Sequence, residues 1–175
     1  GVTFDFLDHS VEHSIELHLP WLQYCFGDVP IVAALIQNPI VEMIDDDGER
    51  TSIDDFVVAL QEILNEGGGE TLFVSSADLS HVGQQFGEPR PVDEQRQFDV
   101  ERHDREMMAK YIGGDADEFV AAMKWNNNAT QWCSIGNMAA TLKLVQPDSI
   151  ELIDYRQAVD DKGIALVSSC SMAML

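Results

Sequence analysis

Two kinds of hydrophobic spacing alternate along this chain, and that alternation limits the folds open to it. The continuous apolar runs at residues 31–36 (IVAALI) and 71–76 (TLFVSS) read as strands covered on both faces. Elsewhere apolar residues return every three or four positions, the period of an amphipathic helix. Ser10 or Asp8 caps a first helix through Glu12, Ile15, Leu19 and Leu22, kinked or shortened by Pro20. Residues 41–50, with Asp45, Asp46, Asp47 and Gly48, read as a surface loop. Ser52 caps a second helix with Phe56, Val57, Leu60 and Leu64 on one face, ended by Gly67, Gly68 and Gly69. Pro91 introduces a long charged helix over residues 93–112. Gly113 and Gly114 separate it from a shorter helix over 116–125, and a turn at Asn126, Asn127 and Asn128 leads to another over 134–145, before Pro147. Residues 150–155 and 164–172 read as closing strands, joined by Asp160-Asp161-Lys162-Gly163. The fold class is therefore α/β: one layered domain over residues 1–175, with a central mixed sheet flanked by helices.

Charge narrows the function before any motif is considered. The 175 residues hold 31 Asp and Glu against 10 Lys and Arg, a formal net charge of −21. A field of that sign repels phosphate backbones and anionic headgroups, so neither nucleic acid nor a membrane surface is an expected partner. Hydrophobic residues make up 45% of the chain, too much for a disordered acidic tail. No apolar run approaches the ~20 residues of a bilayer span, and the opening GVTFDFLDHSVEH lacks the Lys or Arg of a secretory signal. A soluble, cytoplasmic protein is expected. Cys25, Cys133 and Cys170 are odd in number and widely spaced, which supports neither a disulfide framework nor a CxxC clip; two lie in apolar surroundings and read as core thiols. Met107, Met108, Met123, Met138 and Met172 read as packing.

Chemistry concentrates at a few positions. His81 follows TLFVSS in the segment Ala77-Asp78-Leu79-Ser80-His81, and open α/β sheets place their ligand crevices beyond the carboxyl ends of strands. Asp78, three residues earlier, is placed to orient one imidazole nitrogen while the other faces a substrate or metal. The plainer reading of the same residues is a loop whose Asp and Ser satisfy local backbone groups. Cys133, in NNNATQWCSIG, stands at a helix start, where a thiol pKa is lowered and suits a nucleophile or metal ligand; a small buried side chain is the alternative. His103, beside Arg102, Asp104 and Arg105, reads as solvated. His9-Ser10-Val11-Glu12-His13 matches the H-x-x-E-H zinc-peptidase pattern, which needs a helix through both imidazoles and a third ligand such as Glu88 or Glu94. Otherwise Glu12 and Glu16 favour the positive end of a helix dipole, with the imidazoles hydrogen-bonded beside them.

Two blocks carry a family resemblance. Glu12-His13-Ser14-Ile15-Glu16-Leu17-His18-Leu19-Pro20, followed by Ser76-Ala77-Asp78-Leu79-Ser80-His81-Val82-Gly83, resembles the Memo family, which includes the AmmeMemoRadiSam system protein B. Ser134-Ile135-Gly136 and Ile153-Asp154-Tyr155 are similar to that family's closing segments. The resemblance implies the C-terminal portion of a fold like that of the class III extradiol dioxygenases, the stretch before the EHS block being absent here. Non-haem iron or copper is the implied cofactor, with two early histidine ligands in that stretch. His81 then falls at the catalytic histidine of the metal pocket and Asp78 at the pocket aspartate. The metal-site cysteine falls on Thr130, so either the loop is re-registered and Cys133, three residues later, substitutes, or that thiolate ligand is gone; Glu12, His13 and His18 line the pocket or support it.

The implied function is redox or ring-opening chemistry on a small phenolic substrate, with His81 as acid and base. A non-catalytic module for a small molecule or peptide is the alternative, in line with the receptor phosphopeptides linked to animal members; the net charge argues against anionic phosphopeptides here. The zinc peptidase stands behind both. With His81 and at most Cys133 as ligands, this chain alone is expected to hold no metal tightly. An uncovered sheet edge or apolar face is expected to bring self-association or a covering polypeptide.

Overall fold

A computed structural model describes residues 6–41 and 51–175. The chain forms helices α1 (Phe6–Val11), α2 (Ser14–Phe26) and α3 (Ile53–Gly67), then strand β1 (Asp78–Val82) and a 3-10 turn (Gln84–Phe86). Helices α4 (Glu94–Ile112), α5 (Ala116–Trp125) and α6 (Ile135–Val145) follow, and the hairpin β2 (Ile150–Val159) and β3 (Leu166–Met174) closes the chain. Local chemistry sets three of the helix starts. The side chains of Ser52, Asp93 and Asp115 accept the N–H groups of Asp55, Arg96 and Glu118, each taking up one of the donors that a helix start leaves over.

The sheet has strand order β1-β3-β2 and both pairings are antiparallel, so the expected layered α/β arrangement is present while the described sheet is not mixed. The main core lies between this sheet and α4, α5 and α6. Leu79 from β1 and Ile150 from β2 meet Met107, Met108 and Tyr111 of α4, Phe119 and Met123 of α5, and Ile135, Met138 and Leu142 of α6. The methionines pack as expected, with Met172 against the edge of the same cluster. Helix α3 docks on α6, where the Gln61 amide donates to the carbonyls of Lys143 and Leu144. Among the described residues no helix is long and apolar enough to cross a membrane.

Several expectations are corrected. Residues 31–36 and 71–76 form no strand, and Val32 and Leu72 to Val74 are exposed. A strand makes its hydrogen bonds with a neighbour, and the described residues supply none for these two runs. The strand begins instead at Asp78, so the ADLSH segment is itself the strand and not the loop after it. Helix α2 continues through Pro20 to Phe26, with Gly27 capping onto the Gln23 carbonyl, but buries no residue: Trp21 is 71% and Tyr24 85% exposed. Cys25 and Cys133 are exposed and Cys170 half-buried, so the reading of two core thiols does not hold. Burial pushes the Cys170 thiol up to about 11. The loop expected at residues 41–50 falls outside the described residues from 42 onward.

A carboxylate sits at the centre of the fold. Asp104 is fully buried within the apolar stripe of α4, between Val100 and Met107. Its Oδ1 accepts the Ser80 hydroxyl (2.5 Å) and the Trp132 indole N–H (2.9 Å), and its Oδ2 accepts the hydroxyls of Tyr155 (2.8 Å) and Ser168 (2.5 Å). Four donors on two oxygens is an arrangement that suits an acceptor-only group. Because they come from β1, the loop before α6, β2 and β3, the side chain ties α4 to every strand of the sheet.

His103, the next residue, is not solvated as expected. It is half-buried, and its Nε2 is enclosed without a hydrogen-bond partner. Burial lowers its pKa below 6.5, Asp104 and Glu106 acting against the shift and Arg96 and Arg102 with it. An unfolded His103 takes up its proton near pH 6.5 while the folded one does so only lower, so the unfolded state binds more protons over that interval. Stability from the neutral ring is complete above about pH 6.5 and is lost as the pH falls below it. Urea midpoints measured from about pH 7 down to about pH 5 should therefore fall less steeply in His103→Gln than in the parent chain. Superimposable profiles would count against it.

Candidate functional site

Strand β1 carries the candidate histidine and is gripped along both sides. On one side it pairs with β3, Asp78 opposite Ser169 and His81 opposite Val167, with an irregularity between them. On the other, the His81 N–H donates to the Thr130 carbonyl (2.8 Å), and the Ser134 hydroxyl donates to the Asp78 carbonyl. Ser80 is held from below by Asp104. Just past the strand, Gly83 has φ 108°, and a Cβ there would meet the Ile164 carbonyl oxygen at 2.6 Å, so the backbone passes where only glycine fits.

The His81 ring is half-buried and stands edge-on to Phe86, centroids 5.2 Å apart. Its Nδ1 lies 3.1 Å from the Leu79 carbonyl oxygen. A carbonyl can only accept, so Nδ1 carries the proton in this contact. The group that meets Nδ1 is thus the main-chain carbonyl of Leu79, and Asp78, at the start of the strand, is exposed.

The loop from Asn126 to Ser134 runs along the other edge of β1. Asn127, Asn128 and Gln131 all adopt positive φ, 53°, 44° and 58°. Such clustered strain persists only when the surroundings fix it. They do: Asn128 accepts the Trp132 N–H and donates to the Trp132 carbonyl, both at 2.8 Å, and the Gln131 amide donates to the Phe86 carbonyl (3.1 Å). Thr130 is buried with its hydroxyl oxygen unpartnered. Cys133 precedes the α6 N-terminus, its sulfur 4.0 Å from the Asp78 carbonyl oxygen. The residue reaches the surface, yet desolvation around the sulfur, then the charges of Asp78 and Glu12, push the thiol up. The expected lowering at a helix start is therefore overturned: burial and two carboxylates outweigh the helix end. One residue into α6, Gly136 lies so close to the Gln37 carbonyl that a Cβ would collide with it, which seats the segment at residues 36–37 on this end of the helix.

The structure therefore sets the segments of Asp78 and His81 beside those of Thr130 and Cys133 through main-chain contacts, and the charge of Glu12 acts on the thiol. It leaves His9, His13 and His18 to local roles. The H-x-x-E-H pattern is broken, since α1 ends at Val11 and α2 begins at Ser14, and no continuous helix carries both imidazoles. Glu12 accepts the Ser14 N–H (2.8 Å), a bond that lowers its pKa, and the His18 ring donates to the Ser14 carbonyl. His13 is exposed, 3.7 Å from Glu12. Glu88, considered as a third ligand, is held by Arg96. Among the described residues no three His, Cys, Asp or Glu side chains gather closely enough to hold a metal ion. With a raised thiol and a single imidazole, the donor set does not fit iron or copper. Asp104 and Trp132 were missed from sequence. The available signal was an aspartate at the spacing of Val100, Met107 and Tyr111 on the apolar side of a helix.

An α/β chain that sets an ADLSH strand against a looped helix start in this way is a Memo-like one: residues 2–174 match the model of the Memo-like protein family, and the chain belongs to that family. It is similar to a MEMO1 family protein of Aquifex aeolicus, 27% identical over 130 residues, which cover 74% of this chain and 30% of that protein. A Thermoplasma volcanium member is 28% identical over 154 residues, 87% of this chain and 48% of its own length, and a Thermotoga maritima member 38% over 83 residues, 46% and 26%. The chain thus spans half or less of the length of these curated relatives. Elemental analysis of the purified chain should find iron, copper and zinc each well below one equivalent. A stoichiometric metal surviving dialysis would contradict the donor argument.

Proposed function

We propose that this Memo-like chain supplies the His81 wall of a pocket for a small phenolic molecule, where His81 exchanges a proton with the substrate hydroxyl. The observation that carries this reading is the state of the imidazole. The Leu79 carbonyl accepts from Nδ1 and so fixes the ring, and the strand beneath the ring is fixed by Asp104 and Thr130. Asp78 and the Thr130 hydroxyl would line the same wall, Asp78 orienting substrate and not the imidazole. In related non-haem dioxygenases the metal supplies oxygen activation for redox or ring-opening chemistry. The described residues do not form its site, so no step through a metal is assigned to them. In this reading a covering polypeptide brings the missing donors and shields the exposed side chains of Trp21, Tyr24 and Val32, and the setting is the cytoplasm.

A second reading, a non-catalytic module for a peptide or small molecule, is favoured by one observation. The Cys133 thiol is pushed up and not down, which removes it as a ready nucleophile or thiolate ligand. Calorimetric titration separates the two readings. Catechol should bind the chain, and His81→Ala should weaken it about tenfold, the effect of losing one good hydrogen bond. Equal binding by the variant would overturn the phenol reading. Uncharged peptide binding that depends on His81, without catechol binding, would establish the second.

A further inference from the structure

Two neighbouring residues of one loop hold both ends of the segment that carries His81. The Thr130 carbonyl accepts the His81 N–H at 2.8 Å, and the Gln131 side-chain amide donates to the Phe86 carbonyl at 3.1 Å. Between these points the chain is fixed by the connection from β2 to β3. The Gln85 N–H donates at 2.9 Å to the Ile164 carbonyl, the same group that leaves no room for a Cβ at Gly83. The 3-10 turn then closes on itself, Phe86 N–H to the Gly83 carbonyl at 2.9 Å. These bonds place the Phe86 ring edge-on to the His81 ring. Gln131 is an unexpected residue at its position. It is exposed, and its φ of 58° is a left-handed backbone that suits glycine or, through short local hydrogen bonds, asparagine. Glutamine has neither advantage. What it has is reach, to a carbonyl 45 residues away in sequence.

We propose that Gln131 is a positioning residue for His81, acting through Phe86. Its amide fixes the turn, the turn sets the Phe86 ring against the imidazole, and the imidazole is thereby kept where Nδ1 meets the Leu79 carbonyl. That carbonyl alone is a weak hold. A histidine ring turns easily about χ2, and a hydrogen bond from a half-buried ring competes with water. The edge-on contact supplies the second constraint, with centroids 5.2 Å apart and planes at 83°, a geometry that aromatic pairs prefer. Thr130 thus fixes the main chain under the ring and Gln131 the ring itself. Both belong to a loop that is pinned in turn by Asn128 on Trp132 and by Trp132 on Asp104. The left-handed strain at Gln131 has this clasp as its counterpart. A group that exchanges a proton works best when held near one geometry. The inference rests on that reading of His81, but its test observes the free ring and needs no phenol.

Nitrogen NMR of the chain with isotope-labelled histidine tests it, at about pH 8, above the ordinary histidine range. His81→Gln identifies the His81 signals. In the parent chain the His81 ring should carry its proton predominantly on Nδ1. Three variants break the clasp in different ways. Gln131→Glu keeps the side-chain length but cannot donate to a carbonyl, Gln131→Gly suits the left-handed backbone but has no amide, and Phe86→Leu removes the facing ring. In each, His81 should lose that predominance and show the exchanging tautomers of an unconstrained imidazole, while circular dichroism stays that of the parent. If Gln131 served only the loop, Gln131→Gly would relieve its strain and leave the His81 signals as they were; that outcome would overturn the proposal. So would a parent chain whose His81 tautomers are already averaged, or a Phe86→Leu variant in which Nδ1 stays predominantly protonated. Catechol that fails to bind would overturn the phenol reading without changing these spectra.

Discussion

The fold depends on a carboxylate that is buried with no cation paired to it among the described residues. Removing Asp104 from water is costly, and the cost is offset because four neutral donors converge on its two oxygens. Each donor belongs to a different part of the molecule: Ser80 to β1, Trp132 to the loop before α6, Tyr155 to β2 and Ser168 to β3. The network extends further, since the Ser168 hydroxyl accepts the Ser80 N–H (2.9 Å) and the Tyr155 hydroxyl accepts the Gln157 amide (2.9 Å). Burial, with the hydrogen bond to Asp104 adding to it, raises the Tyr155 pKa well above its ordinary value, so the phenol stays a donor. A network of this kind specifies one arrangement of helix and sheet, because any shift leaves a buried donor unpaired.

The candidate site is a consequence of that arrangement. His81 follows Ser80 directly, and the Thr130 to Cys133 segment adjoins Trp132, so the two sides of the site are anchored to the same two oxygens. The ring of His81 takes its orientation from the backbone of its own strand, and its strand takes its position from Asp104. The N-terminal residues have no comparable anchor. Helix α2 buries nothing, and among the described residues the segments on either side of α3 touch the rest where Ile40 and Ala77 pack against the main core, where the residue 36–37 stretch meets Gly136 and where Asn137 reaches Ser75 and Ser76.

That contrast explains what could be read from sequence. Helices α3 to α6 and the β2–β3 hairpin follow from caps, periodicity and turn residues a few positions apart, such as Ser52, Asp93, Asp115 and Asp160-Asp161-Lys162-Gly163. IVAALI and TLFVSS have strand composition, but a strand exists only with a neighbour, and composition does not say whether one is present. His81, Thr130, Cys133 and Asp78 stand out in the sequence, and the structure places their segments side by side. Their relationship was misjudged, because the carbonyl that orients His81 and the carboxylates that raise Cys133 are features of local geometry. Asp104 lies 24 to 64 residues from its donors, and no local pattern reveals a pairing of that span.

The most direct test of this account is the equilibrium urea stability of Asp104→Asn. The substitution keeps the shape of the side chain but turns one acceptor into a donor facing two donors. A loss of about 3 kcal/mol or more, with the circular dichroism of the remaining native state unchanged, is the predicted result. A change within about 0.5 kcal/mol, the range of an ordinary surface substitution, would contradict the claim that this side chain holds the sheet and the site together.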